Sequence, residues 1–220
     1  MKLIITGATG KVGSGALKTA LSNPTITTVV ILTRRETNIQ HPKLQTIIKK
    51  DYLNYTPSEL SQLEGADACI WALGSPTSNP EIHTQYPLAF RSAFFPTLTH
   101  TTAAATTPKK PFHFVLVSGA AVVRDQSTRL PPFLSALKLR VTIETDFVEF
   151  EAMNPGTWKT FVARPAMVLA EGSWMGMVLP GAVAIEVGVL GRALVGLAVE
   201  GGDGQTVGNG GLRALGAVVK

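Results

Sequence analysis

The feature that most constrains this chain is a glycine-rich stretch near its start, TGATGKVG at residues 6–13, between an apolar run and a helical segment. At such a junction Gly7 permits a sharp turn out of a strand, Gly10 permits close approach of a pyrophosphate, and Gly13 permits tight packing of the helix. The helix N-terminus then offers N–H groups to phosphate oxygens. The motif therefore predicts a dinucleotide site. We assign to it Gly7, Thr9, Gly10, Lys11, Val12 and Gly13.

The remainder of the chain alternates apolar, β-rich runs with helical stretches, which is typical of parallel strands joined by crossover helices. Continuous Val, Ile and Leu runs favour strands that are covered on both faces. We predict one α/β domain over residues 1–220, a doubly wound, Rossmann-like parallel sheet, with a substrate pocket from about 119–190. The predicted strands are 2–6, 27–33, 44–50, 67–73, 112–118 and 160–165. The predicted helices are 12–22, 57–63, 84–105, 133–153 and 187–200, with a short helix at the end of the chain.

The composition narrows the class of protein. Hydrophobic residues make up 45% and charged residues 16%, which is typical of an ordered globular chain. The net charge of +5 comes from scattered Lys and Arg without interleaved aromatics, so nucleic-acid binding is not indicated. A single cysteine, Cys69, and no charged leader before the first strand indicate a cytoplasmic protein. The apolar C-terminal region is broken by Pro180, Glu186 and Arg192, so we predict no membrane span there.

The predicted second strand ends in the sequence ILTRRE. Sites that prefer NAD usually have an acidic residue here to bond the ribose hydroxyls, whereas this chain has Arg34 and Arg35. Guanidinium groups match a phosphate with two parallel hydrogen bonds and remain charged. The pair therefore predicts NADP(H) as the cofactor, with NAD(H) the less favoured choice. The structural alternative is two solvated surface arginines.

The motif TGATGKVG followed by TRR resembles the atypical and extended short-chain dehydrogenase/reductases. Within them the chain is similar to the small NAD(P)H-binding group that includes the Tat-interacting-protein-like oxidoreductases and their fungal relatives. Shorter similarities follow at KKDYL, WALGS, LVSGAA and ARPAMVL. The resemblance implies that Asp51 accepts a hydrogen bond from the adenine amino group, with Tyr52 or Leu53 beside the ring. It also implies that the nicotinamide half is lined by Ala72, Leu73, Gly74, Arg164, Pro165 and Met167.

The same resemblance exposes a missing group. Reductases of this superfamily use a Tyr, with a Lys four residues later, on the helix after the fifth strand, and a Ser at the end of that strand. Ser118 occupies the serine position, but the helix sequence PPFLSALKLRVTIETDF contains no tyrosine. One register places Leu134 and Lys138 at the two positions, and another places Ala136 and Arg140 there. Both registers remain open on the sequence alone.

Several side chains are candidates to replace the phenol. Asp125 lies with Arg129 in a polar loop near the predicted pocket, and His83 and Tyr86 follow the fourth strand. Ser118 acting beside Lys138 or Arg140 is a further option. The structural alternatives are a surface loop for Asp125, a helix cap for His83 and core packing for Tyr86.

We therefore expect an NADP-dependent reductase of a small carbonyl or enone compound, with secondary metabolism as a candidate setting. A non-redox cyclase, isomerase or lyase that reuses the pocket is the first alternative, because the usual acid is absent. A non-catalytic NADP-binding sensor is the second. The expected partner is a small, apolar substrate, no metal site is predicted, and a homodimer through helix 133–153 would follow the pattern of the relatives.

Overall fold

A computed structural model of the chain describes residues 1–75, 79–102, 110–120, 136–179 and 181–219. Its strands are β1 (Lys2–Thr6), β2 (Thr28–Thr33), β3 (Leu44–Ile48), β4 (Ala68–Trp71), β5 (Phe112–Val117), β6 (Trp158–Arg164), β7 (Met167–Leu169), β8 (Ala184–Glu186) and β9 (Thr206–Gly208). Its α-helices are α1 (Lys11–Ser22), α2 (Pro57–Leu63), α3 (Tyr86–Thr102), α4 (Ala136–Met153), α5 (Met175–Val178), α6 (Val187–Val199) and α7 (Asn209–Val218). A π-helical turn, Glu81–Gln85, leads directly into α3.

Seven strands form one parallel sheet in the order β3-β2-β1-β4-β5-β6-β9. The chain order reverses between β1 and β4, and ligands of open α/β sheets bind beyond the carboxyl ends of the strands at such a switch point. The register places Thr6 beside both Leu32 and Trp71, and Leu116 beside Trp71. The loops after β1, β2, β4 and β5 therefore emerge at one edge of the sheet, and this confirms the predicted Rossmann-like architecture.

The two faces of the sheet are covered differently. One face packs on α1, α6 and α7 through small and aliphatic side chains. The other face carries an aromatic cluster whose large buried members include Trp71, Phe90, Phe114, Phe147 and Trp158. Burial of the apolar side chains on both faces stabilises the fold. Cys69 lies in the same layer, fully buried, and burial raises the pKa of its thiol well above the usual value.

Local sequence signals explain several element boundaries. Helix α2 begins with a capping box, in which the Thr56 side chain accepts from the Glu59 amide and the Glu59 carboxylate accepts from the Thr56 amide. Pro57 occupies the first turn, where its missing N–H costs nothing. Strand β4 is shorter than the predicted 67–73, because Ala72 and Leu73 leave the sheet to pack against the glycine loop.

Other predicted boundaries shift by a few residues. The predicted helix 84–105 is preceded by the π-helical turn and is described to residue 102, and helix 133–153 is described from residue 136. The three-residue strands β7, β8 and β9 were not predicted, because segments so short show no periodicity. The predicted terminal helix is α7. Among the described residues, no helix is both long and apolar enough to span a bilayer.

Candidate functional site

The glycine loop after β1 is built by close backbone contacts. Gly7 has φ +67°, and a Cβ there would lie 2.4 Å from the carbonyl oxygen of Ala72. A Cβ at Gly13 would lie 2.1 Å from the Gly7 carbonyl oxygen, so only glycine lets α1 approach this closely. The Gly10 amide donates to the Gly7 carbonyl at 2.9 Å and closes the turn. The loop thus has the compact shape that the sequence motif predicts.

The N-terminus of α1 is open to an anion. Its cap residue is Gly10, which contributes no side-chain cap, and its first turn contains no acidic residue. The helix dipole therefore favours negative charge at this point. Thr9 and Lys11 are exposed and Val12 is half-buried. The Lys11 ammonium donates to the Val168 carbonyl at 3.3 Å, so it lies on the side of the loop that faces β7.

A cavity of about 370 Å³ lies beside this loop, at the ends of β1, β2 and β4. Arg34 and Arg35 are exposed at its wall, and within the described residues neither guanidinium forms an ion pair. The Thr33 hydroxyl donates to the Arg35 carbonyl at 2.8 Å and accepts from the Arg35 amide at 3.3 Å, which fixes the turn that carries both arginines. The lining consists of Gly7, Thr9, Leu32, Thr33, Arg34, Arg35, Glu36, Tyr52 and Leu73. We call this the adenosine-side cavity.

The residues predicted near the adenine lie at the rim and floor of this cavity. The Tyr52 hydroxyl donates to the Leu32 carbonyl at 2.9 Å, so Tyr52 offers its ring and not its hydroxyl to the cavity. Burial raises the pKa of that phenol. Leu53 is exposed, and the exposed Asp51 carboxylate accepts from the side chain of Asn54 and from the amide of Leu53, which lowers its pKa. Their contacts with adenine stay predictions.

A second, smaller cavity lies at the ends of β4 and β5, and we call it the reaction-side cavity. Three of the candidate catalytic residues line it: His83 from the π-helical turn, Ser118 after β5, and Arg140 from α4. Its volume is about 30 Å³, which holds a small polar group. Its remaining walls are Trp71, Leu73, Gly74, Ile82, Leu116, Val117 and Ile143. Leu73 lines both cavities, so they adjoin each other along the loop after β4.

The polar groups of the reaction-side cavity are only partly satisfied. The Ser118 Oγ is buried and has no hydrogen-bond partner among the described residues. His83 is also buried, with 7% of its surface exposed. Burial lowers the pKa of the Arg140 guanidinium, and the charge of Glu144 acts in the opposite direction. An unpartnered buried hydroxyl is rare in folded proteins and calls for an explanation such as a ligand.

The remaining catalytic candidates lie elsewhere. Tyr86 does not line the reaction-side cavity; its ring stacks on Tyr52 at 5.4 Å, and its hydroxyl lies 3.4 Å from the Glu81 carboxylate. Burial raises the pKa of Tyr86, which makes it a weaker acid. Asp125 lies outside the described residues, as does most of the predicted loop. Lys138 lies in α4, and its side chain is outside the described part. The structure thus places Arg140, the basic residue of the second register, next to Ser118.

The segment after β6 gives a mixed result. The Arg164 guanidinium donates two hydrogen bonds to the Glu144 carboxylate, one from Nε to Oε1 at 3.1 Å and one from Nη2 to Oε2. Pro165 is buried, and its carbonyl accepts from the Ala120 amide at 2.8 Å. Met167 is 54% exposed. The proximity of these three residues to the nicotinamide stays a prediction. For Arg164 it rests only on the position of the residue at the end of β6, because the guanidinium is already paired with Glu144.

Sequence reasoning missed two residues that shape the reaction-side cavity. A Cβ at Gly119 would lie 2.8 Å from a terminal nitrogen of Arg140, so this glycine makes room for the guanidinium. Glu144 is buried and lies one turn after Arg140 on α4. The spacing of four between Arg140 and Glu144 is a signal that could have placed both residues on one helix face.

Comparisons with known proteins agree with the fold and with its family. A family model described as NAD(P)H-binding matches residues 7–145. A short-chain dehydrogenase/reductase from Saccharomyces cerevisiae superposes with a TM-score of 0.70 at 15% identity, covering 100% of this chain and 99% of its own. A putative NADH-flavin reductase from Streptococcus pneumoniae gives 0.57 at 21% identity, covering 92% and 94%. A Bordetella bronchiseptica enzyme in complex with NAD+ gives 0.62 at 17% identity, covering 98% and 76%.

At these identities the structural likenesses establish the fold and not the activity. No curated protein sequence matches the chain. The fold, the glycine loop and the two adjoining cavities are therefore the observations from which a function is argued.

Proposed function

Since this chain belongs to the NAD(P)H-binding family, we propose that it is an NADP(H)-dependent reductase of a small carbonyl or enone compound. The observation that carries the proposal is the buried Ser118 hydroxyl, which has no partner in the described part of the chain and lies in a cavity that adjoins the adenosine-side cavity. A hydroxyl at this position donates to the carbonyl oxygen of a substrate held beside the nicotinamide. The yeast and streptococcal proteins of similar fold are described as a dehydrogenase/reductase and a reductase, which agrees with this direction.

The residues present fit a dinucleotide. The glycine loop leaves room where a Cβ would collide, and the N-terminus of α1 offers unpaired amides to the pyrophosphate. When bound, the cofactor supplies the hydride, and the protein binds, orients and polarises the reacting groups. Leu73 lies between the two cavities and is placed to line the path from the adenosine half to the nicotinamide half.

The preference for NADP rests on the two arginines after β2. Arg34 and Arg35 stand exposed at the wall of the adenosine-side cavity, and no carboxylate of the described residues pairs with either. The 2′-phosphate of NADP would accept charge-assisted hydrogen bonds from these guanidinium groups. Glu36 lines the same cavity, and its carboxylate could accept hydrogen bonds from the ribose hydroxyls of NAD. We therefore expect NADPH to bind more tightly, without complete exclusion of NADH.

The protonation step falls to the chain's own side chains, and the usual tyrosine is replaced. The chain has three tyrosines, and none follows position 86. We assign proton donation to His83, the buried imidazole that lines the cavity with Ser118, because histidine is the side chain that most often serves as a general acid. Ser118 binds and orients the carbonyl oxygen that receives this proton. General acid catalysis of this kind contributes about 10²–10⁴-fold to a rate.

The experiment that tests the proposal follows the near-ultraviolet absorbance of NADPH. Purified protein is mixed with NADPH and a panel of quinones, enones, aldehydes and oxo acids, and calorimetry measures the binding of NADPH and NADH in parallel. We expect binding of NADPH and loss of absorbance with at least one carbonyl class. Failure of both cofactors to bind would refute the proposal.

The missing tyrosine also supports a second candidate, a non-redox isomerase, cyclase or lyase on the same scaffold. In that case the bound dinucleotide forms a wall of the pocket and is not consumed. Binding of NADPH without loss of absorbance across the whole panel would favour this candidate over the reductase. It would leave the assignment of the adenosine-side cavity in place.

A further inference from the structure

The reaction-side cavity contains a cation as well as a hydroxyl. Arg140 lines it from α4, and within the described residues its guanidinium has no hydrogen bond and no ion pair. The Ser118 Oγ beside it is likewise unpartnered and buried. Apart from His83, the other walls are largely apolar, with Trp71, Ile82 and Ile143 among them. A half-buried cation that faces an apolar cavity favours an anionic partner.

The structure explains why Glu144 does not serve as that partner. Glu144 lies one helical turn from Arg140, but both of its carboxylate oxygens are held by the fork of Arg164. The Glu144–Arg164 pair is therefore internally neutral, and no carboxylate of the described residues forms an ion pair with Arg140, although the charge of Glu144 still acts on it. Gly119 lies against the guanidinium, where any larger residue would push it away. The absence of a side chain at Gly119 leaves room for the cation at the end of β5.

We infer that the substrate carries a carboxylate next to its reacting carbonyl, and that Arg140 binds this carboxylate while Ser118 binds the carbonyl oxygen. The inference rests on the proposed reductase function and names its substrate class as an oxo acid. A planar guanidinium matches a carboxylate with two parallel hydrogen bonds. Arg140 is the only Lys or Arg side chain among the described residues that line this cavity, and its single charge matches that of one carboxylate.

The reaction balances with groups already named. The carbonyl carbon of the oxo acid gains a hydride from NADPH, and the carbonyl oxygen gains the proton that His83 donates. The C=O double bond becomes a single bond, and the products are a hydroxy acid and NADP+. Arg140 is a binding residue in this scheme, since it holds the carboxylate and takes no part in the bonds that change.

The test compares an oxo acid with its own methyl ester, which keeps the ketone and removes the charge. We measure kcat/KM for both by NADPH oxidation in the wild type, Arg140→Gln, Arg140→Lys and Lys18→Gln. We expect the wild type to prefer the acid, and Arg140→Gln to reduce the acid-to-ester ratio by about 100-fold, the loss typical of a hydrogen bond to a charged group. Arg140→Lys should retain part of the preference. Lys18→Gln, a surface charge on α1, should not change the ratio.

A second measurement separates this inference from the proposed function. Calorimetry follows the binding of oxamate, a carboxylate that hydride does not reduce, to the NADP+-loaded protein. Binding of oxamate that Arg140→Gln weakens, without reduction of any carbonyl, would support the carboxylate site and refute the reductase. Reduction of ketones with the same acid-to-ester ratio in wild type and Arg140→Gln would overturn the carboxylate site and keep the reductase. If Arg140→Gln weakened NADP+ binding as much as oxamate binding, Arg140 would belong to the cofactor site, and the inference would also be overturned.

Discussion

The adenosine-side cavity and the reaction-side cavity adjoin each other, yet they are built in opposite ways. The first is formed mainly by two local segments, the glycine loop after β1, whose shape is set by backbone contacts, and the turn after β2, with Tyr52 and Leu73 completing it. The second is made by side chains that converge from three distant segments, with His83, Ser118 and Arg140 as its polar members. Backbone sites demand particular residue types at fixed spacing, whereas converging side chains depend on the whole fold. The following predictions test this difference.

The largest effect is expected from Gly13→Ala. The added Cβ would meet the Gly7 carbonyl oxygen at 2.1 Å, so the loop or α1 must move. We expect a loss of about 3 kcal/mol in the free energy of unfolding, at the upper end of typical overpacking costs, together with loss of measurable NADPH binding. Denaturant titration and calorimetry measure the two quantities.

The matched control for Gly13→Ala is Gly210→Ala in α7. A Cβ at Gly210 has nothing within 4 Å, and alanine favours a helix over glycine. Gly210→Ala should leave binding unchanged and stability equal or slightly higher. Wild-type affinity for NADPH in Gly13→Ala would show that the loop is not the phosphate cradle, and the proposed division of the site would fail.

A smaller effect, confined to the other cavity, is expected from Ser118→Ala. Removal of a donor to the substrate oxygen should lower kcat about 100-fold, as is typical of such donors. Stability should stay equal or rise slightly, because the buried Ser118 Oγ bonds to none of the residues that the structure describes, so its removal leaves none of them unsatisfied. NADPH affinity should not change. Steady-state kinetics on a substrate from the panel, thermal unfolding and calorimetry provide the three readouts.

Ser61→Ala is the control for Ser118→Ala. Ser61 lies in α2, and its hydroxyl donates to the Ser58 carbonyl at an exposed site. This variant should match the wild type in kcat. If Ser118→Ala lowered NADPH affinity as much as kcat, the serine would belong to the cofactor site, and the two cavities would not be functionally distinct.

Much of the fold was predictable because it follows from local patterns. Strand β1 and helix α2 have the predicted bounds, since an apolar run and a capping box with Pro57 define them locally. The family model confirms the predicted NAD(P)H-binding family, and the solved structures confirm the predicted fold. Strands β7, β8 and β9 were not predictable, because tertiary packing and not sequence periodicity decides the conformation of three-residue segments.

The candidate site divides along the same line. The glycine loop and the arginines after β2 were identified from sequence because their residue types report a backbone shape and a charge. The choice between Lys138 and Arg140 was open, since the phase of a helix against a sheet is set by packing. The burial of Ile143 and Phe147 places the face that carries Arg140 toward β5 and β6. The position of His83 depends on a π-helical turn, which has no clear sequence signal.

A more selective effect is expected from Arg34→Ser and Arg35→Ser, each made alone. Loss of one charge-assisted hydrogen bond to the 2′-phosphate should raise the Kd of NADPH about 10-fold. The Kd of NADH, which has no such phosphate, should change little and serves as the internal control. High salt should narrow the difference between the cofactors in the wild type, since exposed charges are screened. Equal weakening of both cofactors would indicate that the arginines act on the loop and not on the phosphate.

The smallest effect concerns the support beneath the adenosine-side cavity. The Lys49 side chain is 3% exposed, and its ammonium binds both oxygens of Glu59 at 3.0 Å and the carbonyl of Asn54, in the loop that follows Asp51. Burial acts to raise the pKa of Glu59, but hydrogen bonds from the Thr56 amide and from Lys49 outweigh it, and the pKa is lowered. A lowered pKa in the folded state means that Glu59 contributes stability above its unfolded pKa.

That contribution should be lost as the pH falls through the folded pKa of Glu59. We expect it to be ~1 kcal/mol or less, because the carboxylate is partly solvated. Thermal unfolding at neutral pH and below pH ~4 should show a smaller acid-induced loss in Glu59→Gln than in the wild type. The Lys49–Glu59 pair contacts the loop that follows Asp51 and not the reaction-side cavity. Lowering the pH from neutral to below ~4 should therefore weaken NADPH binding. Relative to each protein's affinity at neutral pH, the loss should be larger in the wild type than in Glu59→Gln. Equal pH dependence in the two proteins would mean that the support under the adenosine-side cavity does not depend on this ion pair.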